Sequence, residues 1–295
     1  MRPIVQKTCA VSIFIALAAI ALYSQQTPSV QPSAQKGWIA TWREATVSFG
    51  TIAQDPLRGR YYKVEGSGII FSADATTAYI VTAKHVFFDH HPPEIQMRYG
   101  WQDQKSVYAE LGTAIKLRDA AGKDLWTALD DDSDLAVIVA PPPTIQHQPA
   151  MNPESIAPPE KVYEGANIVA LGYPGIVGNE YLVRAISRGG IIAWTDPTDP
   201  AGKRFLIDAN IYPGNSGGPV ISTPLNTTPQ GGIALGGSTY LLGIVIEAPG
   251  QEGEYDLRVP GQRTPLHIKQ KIPLGGTGVV EPASKIRKLL EKVMK

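Results

Sequence analysis

The chain has one cysteine in 295 residues, Cys9, and it lies inside an apolar N-terminal stretch. Beyond that position no disulfide and no thiol chemistry is available, so the fold must stand on its hydrophobic core, which a domain of this length can supply. An excess of charge of one sign is missing too. The 27 basic and 27 acidic side chains cancel, which leaves no electrostatic basis for nucleic acid as a partner. There is no HExxH and no CxxC, and the five histidines show no ligand spacing, so neither a metal site nor a cofactor is expected. No phosphate-cradling glycine loop precedes a helical pattern.

What is present begins with a targeting signal. Arg2 and Lys7 flank a mostly apolar run over 8–23, and residues 1–24 are read as a signal peptide or membrane anchor, outside the fold. The run falls short of the ~20 apolar residues a spanning helix needs. Leu22-Tyr23-Ser24 matches the small-x-small cleavage pattern poorly, and Cys9 precedes the apolar core instead of following it. The expected location is extracytoplasmic, periplasmic or secreted, with 8–23 as a candidate membrane tether. Residues 25–36 are polar and proline-bearing, a linker by composition, and the folded part runs over 37–295.

Glycine (29) and proline (25) are plentiful beside a 43% apolar share, which fits short strands joined by many turns. Strand-like runs occur at 45–52, 68–72, 78–82 and 134–140. After a proline-rich connection over 141–162 they resume at 167–172, 186–194, 205–207, 219–222 and 240–247. The reading is therefore all-β in two halves, about 37–145 and about 160–280. The period changes only at the end: Ile286, Leu289, Leu290 and Val293 recur at helical spacing, so a C-terminal α-helix is expected over 282–294 with Pro282 in its first turn. Segments 222–239 and 248–276, rich in Gly, Pro and polar residues, are expected as surface loops.

The most specific string is Gly214-Asn215-Ser216-Gly217-Gly218-Pro219. A serine between glycines can present its hydroxyl on a tight turn whose N–H groups converge, which an acyl-transfer nucleophile requires; a plain glycine turn has the same composition. Two other framings decide between them. His85 ends the apolar run Val81-Thr82-Ala83-Lys84-His85-Val86, and Asp134 opens the run Asp134-Leu135-Ala136-Val137. A base for the serine proton and a carboxylate to fix the imidazole tautomer are the partners that chemistry needs. Asp130, Asp131 and Asp132 read as a solvated loop, and His90, His91, His147 and His267 lack comparable framing.

In this order the motifs resemble those of the trypsin-like serine peptidases, and more closely their HtrA/Deg-like branch. The likeness runs from Gly66-Ser67-Gly68-Ile69-Ile70 through the His85 and Asp134 segments, Val169-Ala170-Leu171-Gly172-Tyr173-Pro174-Gly175 and 208–220, to Gly276-Thr277-Gly278-Val279-Val280-Glu281-Pro282. It implies a double β-barrel with a C-terminal α-helix, and a His85, Asp134, Ser216 triad in the cleft between the barrels. The backbone N–H groups of Gly214 and Ser216 would form the oxyanion hole. Asn215 stands where digestive members carry an aspartate that pairs with a new N-terminus, so activation by that ion pair is not expected. Asn210 falls at the base of the trypsin specificity pocket, which argues against Lys or Arg as the residue cleaved after. Asn210, Ile244 and Val245 are the substrate-binding candidates, and an apolar pocket wall of Ile244, Val245 and Ile246 implies a small or medium apolar preference. The chain as given holds no PDZ domain. Polypeptides, unfolded proteins among them, are the implied substrates.

Two rivals follow from the same residues. Gly214-Asn215-Ser216-Gly217-Gly218 also satisfies the G-x-S-x-G pattern of α/β-hydrolase esterases, which demands a helix straight after the serine and an acid then a histidine downstream. Only Asp256 and His267 could serve, and Pro219, Pro224 and Pro229 oppose the helix. The other rival is an inactive or trigger-dependent binding module on the same fold.

Overall fold

Between Glu94 and Tyr99 the chain alternates polar Glu94, Gln96 and Arg98 with buried Ile95, Met97 and Tyr99. That period-two pattern puts one face of an antiparallel sheet on a core and the other in water. A computed structural model describes residues 37–294 except 56–58, 73–76, 89–92, 103–107, 141–149, 179–180, 258–265 and 274–275; of 101–111, 140 and 251–273 it describes at most the backbone. The signal or anchor (1–24), the linker (25–36), His90, His91, His147 and residues 141–149 of the proline-rich connection lie outside the described residues.

The first half opens with helix α1 (Ala40–Ala45) and holds strands β1 (Thr46–Asp55), β2 (Gly59–Phe71), β3 (Ala78–Ala83), β4 (Glu94–Gln102), β5 (Tyr108–Lys116), β6 (Trp126–Ala128) and β7 (Leu135–Ala140). Helix α2 (Lys84–Phe88) follows β3 directly. The strands pair antiparallel in the order β5-β4-β1-β2-β3-β7-β6, a half-barrel curled over Phe49, Ile80, Phe87, Met97 and Ile138.

The second half contains β8 (Asn167–Gly172), β9 (Ile186–Trp194), β10 (Phe205–Asp208), β11 (Pro219–Ser222), β12 (Leu225–Thr227), β13 (Ile233–Leu235), β14 (Leu241–Glu247), β15 (Gly250–Leu257), β16 (Leu266–Pro273) and β17 (Thr277–Pro282). Six of them close into a barrel in the order β10-β17-β14-β11-β8-β9. The remaining four form two hairpins, β12 with β13 and β15 with β16. These hairpins occupy both segments expected to be irregular. The strands β12 and β13 are mostly exposed and carry little burial pattern, yet backbone pairing needs none, and Gly231 at φ 84° supplies the left-handed turn residue between them. The pairs β4 and β5 were also absent from the strand runs read in the sequence.

Helix α3 (Ala283–Val293) buries Ile286, Leu289 and Leu290 in the core beside Val245 and Val280. Pro282 caps it from outside, with an extended ψ of 153°, and the helix proper starts one residue later than expected. Burial of those three side chains contributes roughly 1.5–3 kcal/mol each, so α3 is part of the barrel's core and not an appendage.

Candidate active site

The site is built where the two halves meet. His85 is the second residue of α2, the point at which β3 stops pairing and turns. Asp134 immediately precedes β7, the neighbour of β3, so the ladder that pairs Ala83 with Leu135 delivers both residues to one end of the sheet. The Lys84 N–H then donates to the Asp134 carbonyl at 3.1 Å, and the His85 N–H donates to Asp134 Oδ1 at 3.0 Å. The imidazole Nδ1 lies 2.6 Å from Asp134 Oδ2. Burial works to raise the Asp134 pKa, but the hydrogen bonds and charge of His85 outweigh it and hold the carboxyl below its ordinary value. An ionised carboxylate only accepts, so Nδ1 carries the proton and Nε2 is left as the base. The His85 side chain is 39% exposed and lines the cleft.

Ser216 comes from the second half, on the turn before β11. Gly214 (φ 94°) and Gly217 (φ 86°) flank it in the left-handed region, where a side chain is strained. A Cβ on Gly217 would collide with the Ser67 carbonyl and the Thr82 hydroxyl, and one on Gly214 with the Tyr173 carbonyl. The glycines are therefore required both by conformation and by close approach. His85, Asp134 and Ser216 line one cleft of about 450 Å³ together with Arg204, Tyr212, Pro213, Ile246, Glu247 and Ala248.

The backbone around Ser216 is committed in a telling way. The Pro213 carbonyl accepts from the Gly175 N–H at 2.9 Å, and since a trans peptide directs its N–H opposite its C=O, the Gly214 N–H faces away from that loop. Asn215, Gly217 and Gly218 donate to Tyr212, Val245 and Asn215 respectively, whereas among the described residues the N–H groups of Gly214 and Ser216 donate to no protein acceptor. Two unspent donors beside a serine hydroxyl can stabilise an oxyanion. Asn215 is fully buried and neutral, so the turn holds its shape without a charge at that position.

One residue central to this arrangement had no role assigned from the sequence. Ser67 on β2 is fully buried; its N–H donates to the Ser216 carbonyl at 2.7 Å, its hydroxyl donates to the Gly214 carbonyl at 2.7 Å and accepts from the Tyr173 N–H at 2.9 Å. Its carbonyl accepts from the Thr82 hydroxyl at 2.5 Å, on the strand that leads to His85. Ser67 thus ties the serine turn to the histidine strand. Its signal was the pair of glycines around it, which lets two backbones approach.

The substrate-binding candidates are placed differently from the triad candidates. Ile244 and Val245 are wholly buried in the barrel core, and Asn210 is exposed in a separate shallow depression with Gly189, Gly190, Ile191, Asp208 and Ala209. Of the expected apolar wall Ile246 lines the cleft, with Glu247 and Ala248 beside it. The cause is an irregularity in the β14–β17 register between Val245 and Glu247, which changes the phase of the strand at Ile246 and has no mark in the composition. The segment after Ser216 is strand β11, with no helix, so the strand–serine–helix geometry of an α/β-hydrolase elbow is absent. Asp256 and His267 are register partners across the β15–β16 hairpin.

Comparison with known proteins agrees with this geometry. Residues 66–224 match the model of the trypsin-like peptidase domain. A protein named serine protease HtrA-like from Staphylococcus aureus strain bovine RF122 / ET3-1 is 29% identical over 165 residues, which is 53% of this chain and 18% of that protein. Proteins of the same name from strains USA300 and NCTC 8325 / PS 47 match at 29% over the same span. The chain therefore spans only 18% of the length of these relatives.

Proposed function

The chain belongs to the trypsin-like peptidase family, and from that premise we propose that it is a serine endopeptidase in which Ser216 is the nucleophile, His85 the general base and acid, and Asp134 the group that orients the imidazole. Membership of a peptidase family implies polypeptide substrates. Attack of the Ser216 hydroxyl on a peptide carbonyl transfers its proton to His85 Nε2. The resulting oxyanion is met by the Gly214 and Ser216 N–H groups, each worth on the order of 3 kcal/mol in the transition state. His85 then protonates the leaving amine, and water repeats the sequence on the acyl-enzyme.

The observation that carries this reading is the pairing of a short Nδ1–Asp134 contact with two uncommitted N–H groups at the serine. A binding module needs neither. The apolar lining by Ile246 and Ala248 supports cleavage after small or medium apolar residues, and the N-terminal pattern supports an extracytoplasmic location with unfolded polypeptides as substrates.

The test is digestion of reduced casein by the purified chain beside Ser216→Ala and His85→Ala, with mass spectrometry of the products and labelling by a fluorophosphonate probe. Cleavage and labelling by the parent alone are expected. A parent that neither cleaves nor labels, under any of several solution conditions, supports the inactive binding module instead.

A further inference from the structure

Glu281 is the one acidic residue of the described core with no solvent exposure at all. It stands near the end of β17, in the closed barrel, yet its Oε1 accepts from the backbone N–H of Asp134 at 3.0 Å in the other half. The same oxygen accepts from Arg204 Nε at 2.7 Å. Arg204 Nη2 in turn donates to the Asp132 carbonyl at 2.5 Å. One ion pair from the second half therefore grips the turn on both sides of Ser133, by the carbonyl before it and the N–H after it.

The grip extends along the acidic run. Lys285, one helical turn beyond Glu281, lies 3.2 Å from Asp132, 3.5 Å from Asp131 and 3.9 Å from Glu281 Oε2. Lys292 at the far end of α3 reaches Asp130 at 3.0 Å. Asp130, Asp131 and Asp132 are exposed, as the solvated loop read from the sequence would be, and each also pairs with a lysine of the C-terminal segment. The exposed pairs contribute little individually. In the Glu281–Arg204 pair the carboxylate is fully buried and the guanidinium 41% exposed, and a carboxylate buried in this way also adds little to stability compared with an apolar residue of the same volume. What a carboxylate at 281 does and an apolar side chain cannot is accept the Asp134 N–H.

Asp134 is thereby held at every hydrogen-bonding group it has. Its N–H is fixed by Glu281, its carbonyl by the Lys84 N–H, and its two carboxylate oxygens by the His85 N–H and imidazole. We propose that Glu281, oriented by Arg204, is a positioning residue that sets the Asp134 carboxylate against His85 from across the two halves. This rests on the peptidase reading of the same cleft. The consequence is that the alignment of the histidine depends on the docking of β17 and α3, elements that touch no reacting atom.

The experiment compares the full chain with Glu281→Gln and Glu281→Ala, measuring kcat and KM on a peptide substrate and the low-field proton resonance of the His85–Asp134 bond by NMR. Glu281→Gln keeps an acceptor oxygen and is expected to retain kcat within about threefold and to leave the resonance in place. Glu281→Ala is expected to lower kcat by on the order of 30- to 100-fold with KM unchanged, the scale for a misplaced catalytic group, and to shift or broaden the resonance. An alanine variant with parental kcat and resonance overturns the proposal. If that variant does not fold, Glu281→Leu refills the volume without the acceptor and takes its place. Should the parent be inert, the resonance still decides: a signal that Glu281→Leu moves keeps the positioning role while the peptidase reading fails, and a signal that it leaves unmoved overturns the positioning role as well.

Discussion

Removing the Ser67 hydroxyl is the perturbation whose cost can be worked most directly from the structure. In Ser67→Ala the Gly214 carbonyl loses a donor at 2.7 Å and the Tyr173 N–H loses an acceptor at 2.9 Å. Ser67 itself has no solvent exposure, and a methyl group fits where Cβ already stands, so no water can easily replace the hydroxyl. Each backbone group stranded in this way costs about 1–3 kcal/mol. Taking the lower half of that range for two groups that can relax slightly gives roughly 2–4 kcal/mol. At about 2–4 °C per kcal/mol for a domain of this size, the expected fall in Tm is on the order of 4–16 °C. Activity should fall further than folding alone predicts. The Gly214 carbonyl is one end of the peptide that shapes the donor turn, and loosening it costs part of the ~10²-fold effect of losing one oxyanion donor. The assay is thermal and urea unfolding of the parent and variant, followed by kcat on a peptide substrate well below the variant's Tm. A Tm within 2 °C of the parent, with kcat preserved, would refute the account of Ser67 as the tie between the serine turn and the histidine strand.

Two further outcomes test the same framework. Gly217→Ala places a Cβ against the Ser67 carbonyl and the Thr82 hydroxyl at a positive φ, and should cost on the order of 4 kcal/mol or more, read as loss of soluble protein or a collapsed urea midpoint, whereas Gly189→Ala, with open space around it, should be nearly silent. The Asp134 carboxyl titrates below its ordinary value in the folded chain, so its contribution to stability is complete above the unfolded pKa of about 4 and is lost as pH falls through the lower folded value. Tm measured against pH should therefore decline less steeply below about pH 4 in Asp134→Asn than in the parent, and an unchanged slope would show that the His85 contact does not stabilise the ionised form.

The parts of this molecule that were legible in the sequence are those in which side-chain type decides the structure. His85, Asp134 and Ser216 each sit at the junction of an apolar run and a turn, and the structure brings all three to one cleft because neighbouring strands begin or end there. The helical spacing of Ile286, Leu289 and Leu290 marked α3 for the same reason. The hairpin β12–β13 reads as a loop because backbone pairing leaves little trace when neither face is strongly apolar, and β15–β16 because glycine and charged residues interrupt the alternation of Tyr255, Leu257, Leu266, Ile268 and Ile272. For β4 the trace existed in Ile95, Met97 and Tyr99, but interleaved charges masked it. Of the three apolar residues expected in the cleft wall, Ile246 lines it while Ile244 and Val245 are buried in the barrel core, a split that follows from a register irregularity, a property of two strands that no single segment encodes.

The absence of cysteine in the folded part makes the polar ties between the halves more than ornament. Apolar contact does cross the junction: Ile246 of the barrel packs with the core of the first sheet, and Leu135 and Val137 of the first sheet join the core of the barrel. Such contacts hold the halves together but are tolerant in direction, since dispersion and hydrophobic burial depend weakly on angle. Acyl transfer is not tolerant, because a misplacement of about 1 Å can cost 10²-fold in rate. The directional constraint falls to hydrogen bonds, and these cross the junction at both flanks of the site. Ser67 holds the serine turn from the first half, and Glu281 with Arg204 holds the aspartate turn from the second. His85 lies between the two, fixed through Asp134 on one side and reached by the Ser67–Thr82 bond on the other. Each half thus positions the reactive group supplied by its partner, so a small rotation of one against the other strains both ties at once. For the peptidase we propose, a site assembled in this way requires both halves to be docked.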